Sequence, residues 1–223
     1  MTRNPCFSRA FTLIEVIVVL AIIVILMSMV YPMYTSISER AKATKDMSNL
    51  RQIGMATQTY LNDNDSVLFT AGGIWMNQLH PKYLPGWAIF QSPFDRRPAS
   101  ETDASAPISY GLNGNTKGGL SSIAGLLTTK IANPSAFILF APAQNSNATV
   151  QFSGGTAAAV TVYKAVSVPG GTAQGGTNNS RKRINALFAD LHAEPMLWSK
   201  FILDNDSNDP SAALRWDPYL GYP

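Results

Sequence analysis

The hydrophobic pattern divides the chain into an apolar front, an amphipathic middle and a mixed remainder. Val16-Ile17-Val18-Val19-Leu20-Ala21-Ile22-Ile23-Val24-Ile25-Leu26 contains no polar residue, and from Phe11 to Tyr31 only Thr12, Glu15 and Ser28 interrupt the apolar character. As a helix rising about 1.5 Å per residue, this stretch spans about 31 Å, enough to cross the hydrocarbon core of a bilayer. A transmembrane helix segment is therefore expected over 11–34. Pro32 removes the backbone donor to the carbonyl of Ser28 and should bend the helix without ending it.

From Ser36 to Asn62 the pattern turns amphipathic. Ile37, Ala41, Thr44, Met47, Leu50, Ile53, Thr57, Tyr60 and Leu61 recur at roughly helical spacing, with Glu39, Arg40, Lys42, Lys45, Asp46 and Arg51 between them. Residues 35–62 are thus read as an amphipathic continuation of the same helix, and Asn62-Asp63-Asn64-Asp65-Ser66 as its stop. The expectation is one helix of about fifty residues, half in lipid and half packed on a head.

Residues 63–223 form that head. All the glycines lie at or after Gly54, and Ser, Thr, Asn and Pro are plentiful, which predicts short strands with long loops. The strands are expected at Val67–Thr70, Phe137–Ala141, Ala148–Phe152, Ala158–Val166, Ile184–Ala189 and Ala193–Trp198. Ile74–Leu79 reads as a short helical turn, Pro81–Leu84 as a connector and Pro169–Thr177 as a loop. The fold class is α+β, a long helix on a small antiparallel sheet. About 160 residues suffice for one core, and no repeat marks a second domain.

Glu15 is the lone charge in the apolar run. A carboxylate near the centre of a bilayer costs about 2.5–3.5 kcal/mol and commonly marks function. A short leader with Arg3 and Arg9 precedes it, ending in Ala10-Phe11-Thr12-Leu13-Ile14-Glu15. This order of basic leader, small residue, Phe-Thr-Leu-Ile-Glu and apolar helix resembles the signal of type IV pilins and type II secretion pseudopilins. Pro32 also falls where many of those proteins carry a helix-bending proline. Ala10 departs from their usual glycine, and alanine is the next smallest side chain.

The resemblance implies that 1–10 is a leader removed by a membrane prepilin peptidase, which cuts between Ala10 and Phe11 and methylates the amine of Phe11. It further implies that an inner-membrane platform and an ATPase assemble the subunit with other pilin-like subunits, where Glu15 and Pro32 serve assembly. A conventional secretory signal would place its apolar region before the cut and lose it. Arg3 and Arg9 favour a cytoplasmic N-terminus and an exported, periplasmic head, with a single pass through a bacterial inner membrane. The alternatives are a type IV pilin for adhesion, motility or DNA uptake, and a membrane-tethered binding or enzymatic module that shares only the anchor.

Losing the leader removes Cys6, the one cysteine, so the mature chain has no internal disulfide. It also removes Arg3 and Arg9, taking the formal charge from +3 to +1 on side chains, so basicity is no argument for a nucleic-acid partner. Ser109-Tyr110-Gly111-Leu112-Asn113 and Phe188-Ala189-Asp190-Leu191-His192-Ala193 are similar to a Ser-Tyr-Gly-x-Asn segment and a Phe-Ala-Asp-Gly-His-Val-like hairpin of some pilin-like heads. Leu191 stands where glycine is usual, which puts a left-handed turn there in question.

No nucleophile elbow, phosphate-binding loop or Cys/His metal spacing accompanies His80 and His192, so the chain is not read as an enzyme. Leu203-Asp204-Asn205-Asp206-Ser207-Asn208-Asp209-Pro210 crowds oxygen ligands into a turn. The favoured reading is a solvated Asx-rich turn. Calcium held by Asp204, Asp206 and Asp209 is the alternative, although the loop lacks the glycine and glutamate of an EF-hand. Arg181-Lys182-Arg183 reads as a solvated strand entrance.

Overall fold

The computed structural model describes residues 12–70, 75–95, 108–113, 123–142, 151–152, 176–180, 182–201, 209 and 211–220. The chain forms two compact units, Met1–Glu39 and Arg40–Pro223. Helix α1, Leu13–Asp63, begins in the first and ends in the second. It runs through position 32 without a break, as expected.

In the first unit the large apolar side chains between Leu13 and Tyr34 are 45–79 % exposed. The segment is long and apolar enough to cross a membrane, with a mean hydropathy of 3.1 over its best window. So much contiguous apolar surface is unfavourable in water and calls for lipid or neighbouring helices.

In the second unit the buried stripe of α1 is Asp46, Asn49, Leu50, Ile53, Ala56, Thr57, Tyr60 and Leu61. Their spacing by three and four places them on one side of the helix. The anticipated face is corrected at its N-terminal end, where Ile37 is 58 % exposed and Ala41 and Thr44 are also exposed. Asp46, placed among the polar positions between the apolar ones, takes the inward place because the head supplies polar partners that hydropathy does not register. Gly54 sits where α1 comes closest to the sheet: a Cβ there would lie 3.1 Å from Leu187 Cδ1. The helix ends as expected, with Asp65 and Ser66 at positive φ and the Asn64 side chain donating to the carbonyl of Tyr60 at 2.7 Å.

The sheet contains β1 Tyr110–Asn113, β2 Ile138–Pro142, β3 Gln151–Phe152, β4 Arg183–Phe188 and β5 Ala193–Leu197 in the order β3-β1-β2-β4-β5. β1, β2, β4 and β5 pair antiparallel, the expected arrangement. β3 instead runs parallel to β1. β1 was not among the expected strands, because four residues with a glycine carry little strand signal. Val67–Thr70 is no strand: Val67 makes a single bridge to Leu127, and the segment opposite turns at once into a 3-10 helix at Thr128–Lys130. The candidates at Ala158–Val166 and 148–150 lie outside the described residues.

Short helices complete the unit: α2 Trp75–Leu79, α3 Trp198–Phe201, α4 Ser211–Leu214 and a 3-10 turn at Trp87–Phe90. Trp198, expected to end β5, opens α3 instead. The core is rich in aromatics. Trp75 and Phe140 lie 4.5 Å apart by ring centroids, Tyr60 and Phe69 4.9 Å, and Phe201 and Trp216 5.2 Å. Such contacts add about 0.5–1.5 kcal/mol each beyond burial.

The β4–β5 hairpin keeps its left-handed residue even though that residue is leucine. Leu191 has φ 68° and its N–H bonds the carbonyl of Phe188, while the Phe188 N–H bonds the carbonyl of His192. Leu191 packs part of its side chain against the core, an apolar contact that offsets a left-handed cost of roughly 1–2 kcal/mol. Hydrogen bonds at Phe188–His192 and Trp198–Lys182 fix the ladder's phase, and Asn185 pairs opposite Pro195 midway between them. Pro195 therefore lies at a non-hydrogen-bonded pair, its nitrogen turned away from β4. At that edge proline removes a donor a foreign strand would use. Replacing Pro195 with valine should restore the donor and increase self-association of the detergent-solubilised protein, read by light scattering; unchanged association would show that the edge is protected otherwise.

Candidate assembly and processing site

Thr12 and Glu15 close the N-terminus of α1. The Thr12 backbone N–H donates to Glu15 Oε2 at 2.8 Å, and the Thr12 hydroxyl donates to the same oxygen at 2.7 Å. The Glu15 N–H in turn approaches Thr12 Oγ1 at 3.4 Å. This is a capping box, in which the residues three apart satisfy helix-end donors that otherwise lack partners. Its signature, Thr-x-x-Glu before an apolar run, stands in the chain and was missed because Glu15 was weighed only as a buried charge. A carboxylate here also meets the positive end of the helix dipole. The cap holds the charge within one turn of residue 11. Ala10 and Phe11 lie outside the described residues, and of Pro32 only its backbone place in α1 is described.

A second polar cluster joins the head half of α1 to the sheet. Asp46 is fully buried. Its Oδ1 accepts from the Ser92 hydroxyl at 2.6 Å and the Tyr110 hydroxyl at 2.7 Å; its Oδ2 accepts from Asn185 Nδ2 at 2.7 Å. The same Asn185 nitrogen lies 3.2 Å from the carbonyl of Ala43, and Asn49 donates to the carbonyl of Gln91 at 3.0 Å. All three donors to Asp46 are neutral. Burial pushes its carboxyl above the ordinary value, against the pull of the three hydrogen bonds. Burial, and then the neighbouring Asp46 charge, push the Tyr110 hydroxyl well above its own, keeping it a donor.

The Ser-Tyr-Gly-x-Asn segment becomes intelligible here. Ser109 donates to Asp95 at 2.6 Å, Tyr110 to Asp46, and Asn113 Nδ2 to the carbonyl of Ile138 at 2.8 Å. Each polar side chain of the motif fills a demand for a buried partner.

Of the acidic loop only Asp209 is described. Its Oδ2 accepts from the buried Arg215 guanidinium at 2.7 Å, and its Oδ1 from the Ser211 hydroxyl at 2.5 Å and backbone N–H at 3.2 Å. The Arg215 and Ser211 hydrogen bonds hold its carboxyl down at about 2. A calcium ion at Asp209 would have to displace that guanidinium; Asp204 and Asp206 lie outside the described residues. Among the described residues, no group of three or more His, Cys, Asp or Glu comes together as a metal site. His192 stacks on Phe188 with centroids 4.4 Å apart and pairs with Asp190, and His80 stacks on Trp87 at 4.2 Å. Both rings serve the packing of turns.

Residues 7–31 match the family model described as the prokaryotic N-terminal methylation motif. That motif is typical of type IV pilins and pseudopilins, and it implies processing by a prepilin peptidase. The chain thus joins a methylation and cleavage motif of the kind found in type IV pilins and pseudopilins to an α+β head. No curated protein and no solved structure matches the chain.

The raised carboxyl of Asp46 gives a pH signature of defined sign. The folded head holds a proton there that the unfolded chain has already shed, so this group's contribution is fully present below about pH 3.8 and is lost as pH rises through the native value. Asp209 acts in the opposite window: its contribution is present above 3.8 and is lost as pH falls toward about 2. Asp46→Asn should therefore flatten the decline in stability that sets in above about pH 3.8 in denaturant unfolding of the solubilised protein. It should also cost about 1–3 kcal/mol, because its amide N–H₂ meets that of Asn185. Asp46→Ala should cost on the order of 3–5 kcal/mol by orphaning three donors. An unchanged pH profile in the asparagine variant would remove Asp46 from the titration.

Proposed function

We propose that the protein is a structural subunit of a type II secretion pseudopilus or a related type IV filament. The observation that carries this reading is the methylation motif at residues 7–31, joined to an apolar helix whose side chains stay exposed. A prepilin peptidase cuts between Ala10 and Phe11 and methylates the new amine. The helix then holds the subunit in the inner membrane with the head exported, until an assembly platform and its ATPase draw it into a filament of pilin-like subunits. Exchange of lipid for neighbouring helices keeps the apolar run out of water throughout.

Glu15 sets the register of that exchange. A charge moved among apolar helices is strongly unfavourable unless paired. The amine of Phe11 on an adjacent subunit is a charge of opposite sign that also needs burying. Both Thr12 hydrogen bonds fall on Oε2, so the cap orients the carboxylate at the helix end where that amine would arrive. Apolar contacts along a smooth helix specify axial position weakly, and one buried polar pair can specify it well. A pilus subunit for adhesion, motility or DNA uptake uses the same motif, and the surrounding secretion or retraction machinery separates the two.

Mass spectrometry of protein recovered from cells with an active peptidase should find Phe11 as the first residue, carrying a methyl group; intact residues 1–10 would refute the reading. A bulky residue at position 10 should stop the cut, whereas Ala10→Gly should preserve it. Glu15→Val should leave insertion and cleavage in place and sharply reduce filament yield. Full assembly of that variant would sink the pairing of Glu15 with the amine.

A further inference from the structure

Basic side chains gather at one end of the second unit. Asn185 of β4 reaches Ala43 and Asp46 on α1, whereas Leu187 lies against Gly54. Followed backwards from Leu187, β4 therefore runs toward the place where α1 enters this unit. Arg183 falls on the same face of the strand as Asn185, about 7 Å further on at a rise of about 3.3 Å per residue, and Lys182 precedes it. On α1 itself Arg40, Lys42 and Lys45 occupy the first two turns of the unit. The fold thus brings five cations from two distant segments to the entering end of the head.

These charges are held in place but not neutralised. All five residues are exposed, and among the described residues no ion pair or side-chain hydrogen bond engages any of them. The turn that carries two of them is closed: the Thr177 and Asn178 N–H groups donate to the carbonyl of Arg183 at 2.8 and 3.1 Å, and the Arg183 N–H donates to the carbonyl of Asn178 at 3.1 Å. The nearby carboxyl group of α1, Asp46, is buried among neutral donors, which leaves half-buried Glu39, just ahead of Arg40, as the acidic neighbour in that stretch. The opposite end of the head is mixed in sign, with Asp63, Asp65 and Asp190 beside Lys82 and Lys130.

We propose that the entering end of the head docks on the anionic phospholipid headgroups of the membrane that the apolar segment enters. The position along α1 selects this partner. Arg40 lies six residues beyond Tyr34 and Lys45 eleven, about 9 and 17 Å along the helix at about 1.5 Å per residue. Tyr31 and Tyr34, 72 % and 69 % exposed, are the amphipathic rings that favour the membrane–water boundary. Headgroups extend about 5–7 Å beyond the hydrocarbon on each side, and charge acts over a further 10 Å or about that at ordinary salt. The cations of α1 fall inside that range, and long basic side chains reach back toward the surface. A second head is the weaker partner, because its opposite end is nearly balanced in charge. The docking rests on the membrane placement given above and is independent of filament formation; it holds the head at the surface before the subunit is drawn away.

The test reconstitutes the full chain in phosphatidylcholine vesicles and follows energy transfer from its tryptophans, all of which lie in the head, to a dilute lipid with a dansyl-labelled acyl chain. The label is carried either by phosphatidylglycerol or by phosphatidylcholine. At low salt, transfer to the labelled phosphatidylglycerol should be about twofold greater, and about 0.5 M salt, which shortens the screening length to about 4 Å, should remove the excess. Lys42→Gln with Lys182→Gln should remove at least half of it, and Lys42→Arg with Lys182→Arg should keep it. Lys82→Gln with Lys130→Gln, at the opposite end, should leave it unchanged. Equal transfer to the two lipids, an excess that survives high salt, an undiminished excess in the first glutamine pair, or equal loss in both glutamine pairs would each overturn the docking. Equal transfer together with salt-sensitive cross-linking between heads would assign this end to a second copy instead. Flotation reads the membrane placement separately: a chain that does not float with the vesicles overturns that placement and the docking with it, whereas a chain that floats without the excess loses only the docking.

Discussion

A fully buried carboxyl group, met among the described residues by neutral donors, organises the head. Asp46 gathers Ser92 from the loop after the 3-10 turn, Tyr110 from β1 and Asn185 from β4, segments far apart in sequence, onto one turn of α1. Apolar packing alone would allow a helix to slide or rotate on a sheet at small cost, because dispersion and burial are not directional. Hydrogen bonds to a buried carboxyl are directional, and misplacing any donor leaves a desolvated group without a partner. The head half of α1 is thereby held in one register against the strands.

This arrangement suits a chain whose helix serves two environments. The first unit exposes an apolar surface that only lipid or other helices can satisfy. The second carries its own aromatic core and, with no cysteine beyond Cys6, no disulfide. A polar lock is then a source of uniqueness, at the cost of burying an ionisable group. The same logic recurs at Asp209 and Arg215, where a well-formed ion pair ties α4 and the carbonyl of Lys200 together. Polar groups fix geometry at both places, while hydrophobic burial provides most of the driving force.

Much of this was legible in the chain. The 51-residue helix, its passage through Pro32, its stop at Asn62–Ser66 and strands β2, β4 and β5 follow from local periodicity and turn chemistry, which depend on neighbours in sequence. The N-terminal motif was legible for the same reason: Phe-Thr-Leu-Ile-Glu and the apolar run are contiguous. The capping box was equally local and was overlooked only because one residue can hold two roles.

What the sequence by itself determined is the linear part of the protein: an apolar segment of membrane length, a single charge at its start, an amphipathic helix behind it and a head of short strands. Only the tertiary structure decided which side of the head half of α1 faces inward, that Asp46 and not Ala41 lies on that side, that β1 forms at Tyr110–Asn113, and that β3 runs parallel. Leu191 shows the same division, since its local cost argues against a left-handed turn that its long-range packing sustains. The reason is physical. Hydropathy assigns a residue the environment it prefers on average, whereas burial of a polar side chain depends on whether distant segments bring donors within hydrogen-bond distance, which is a property of the folded whole.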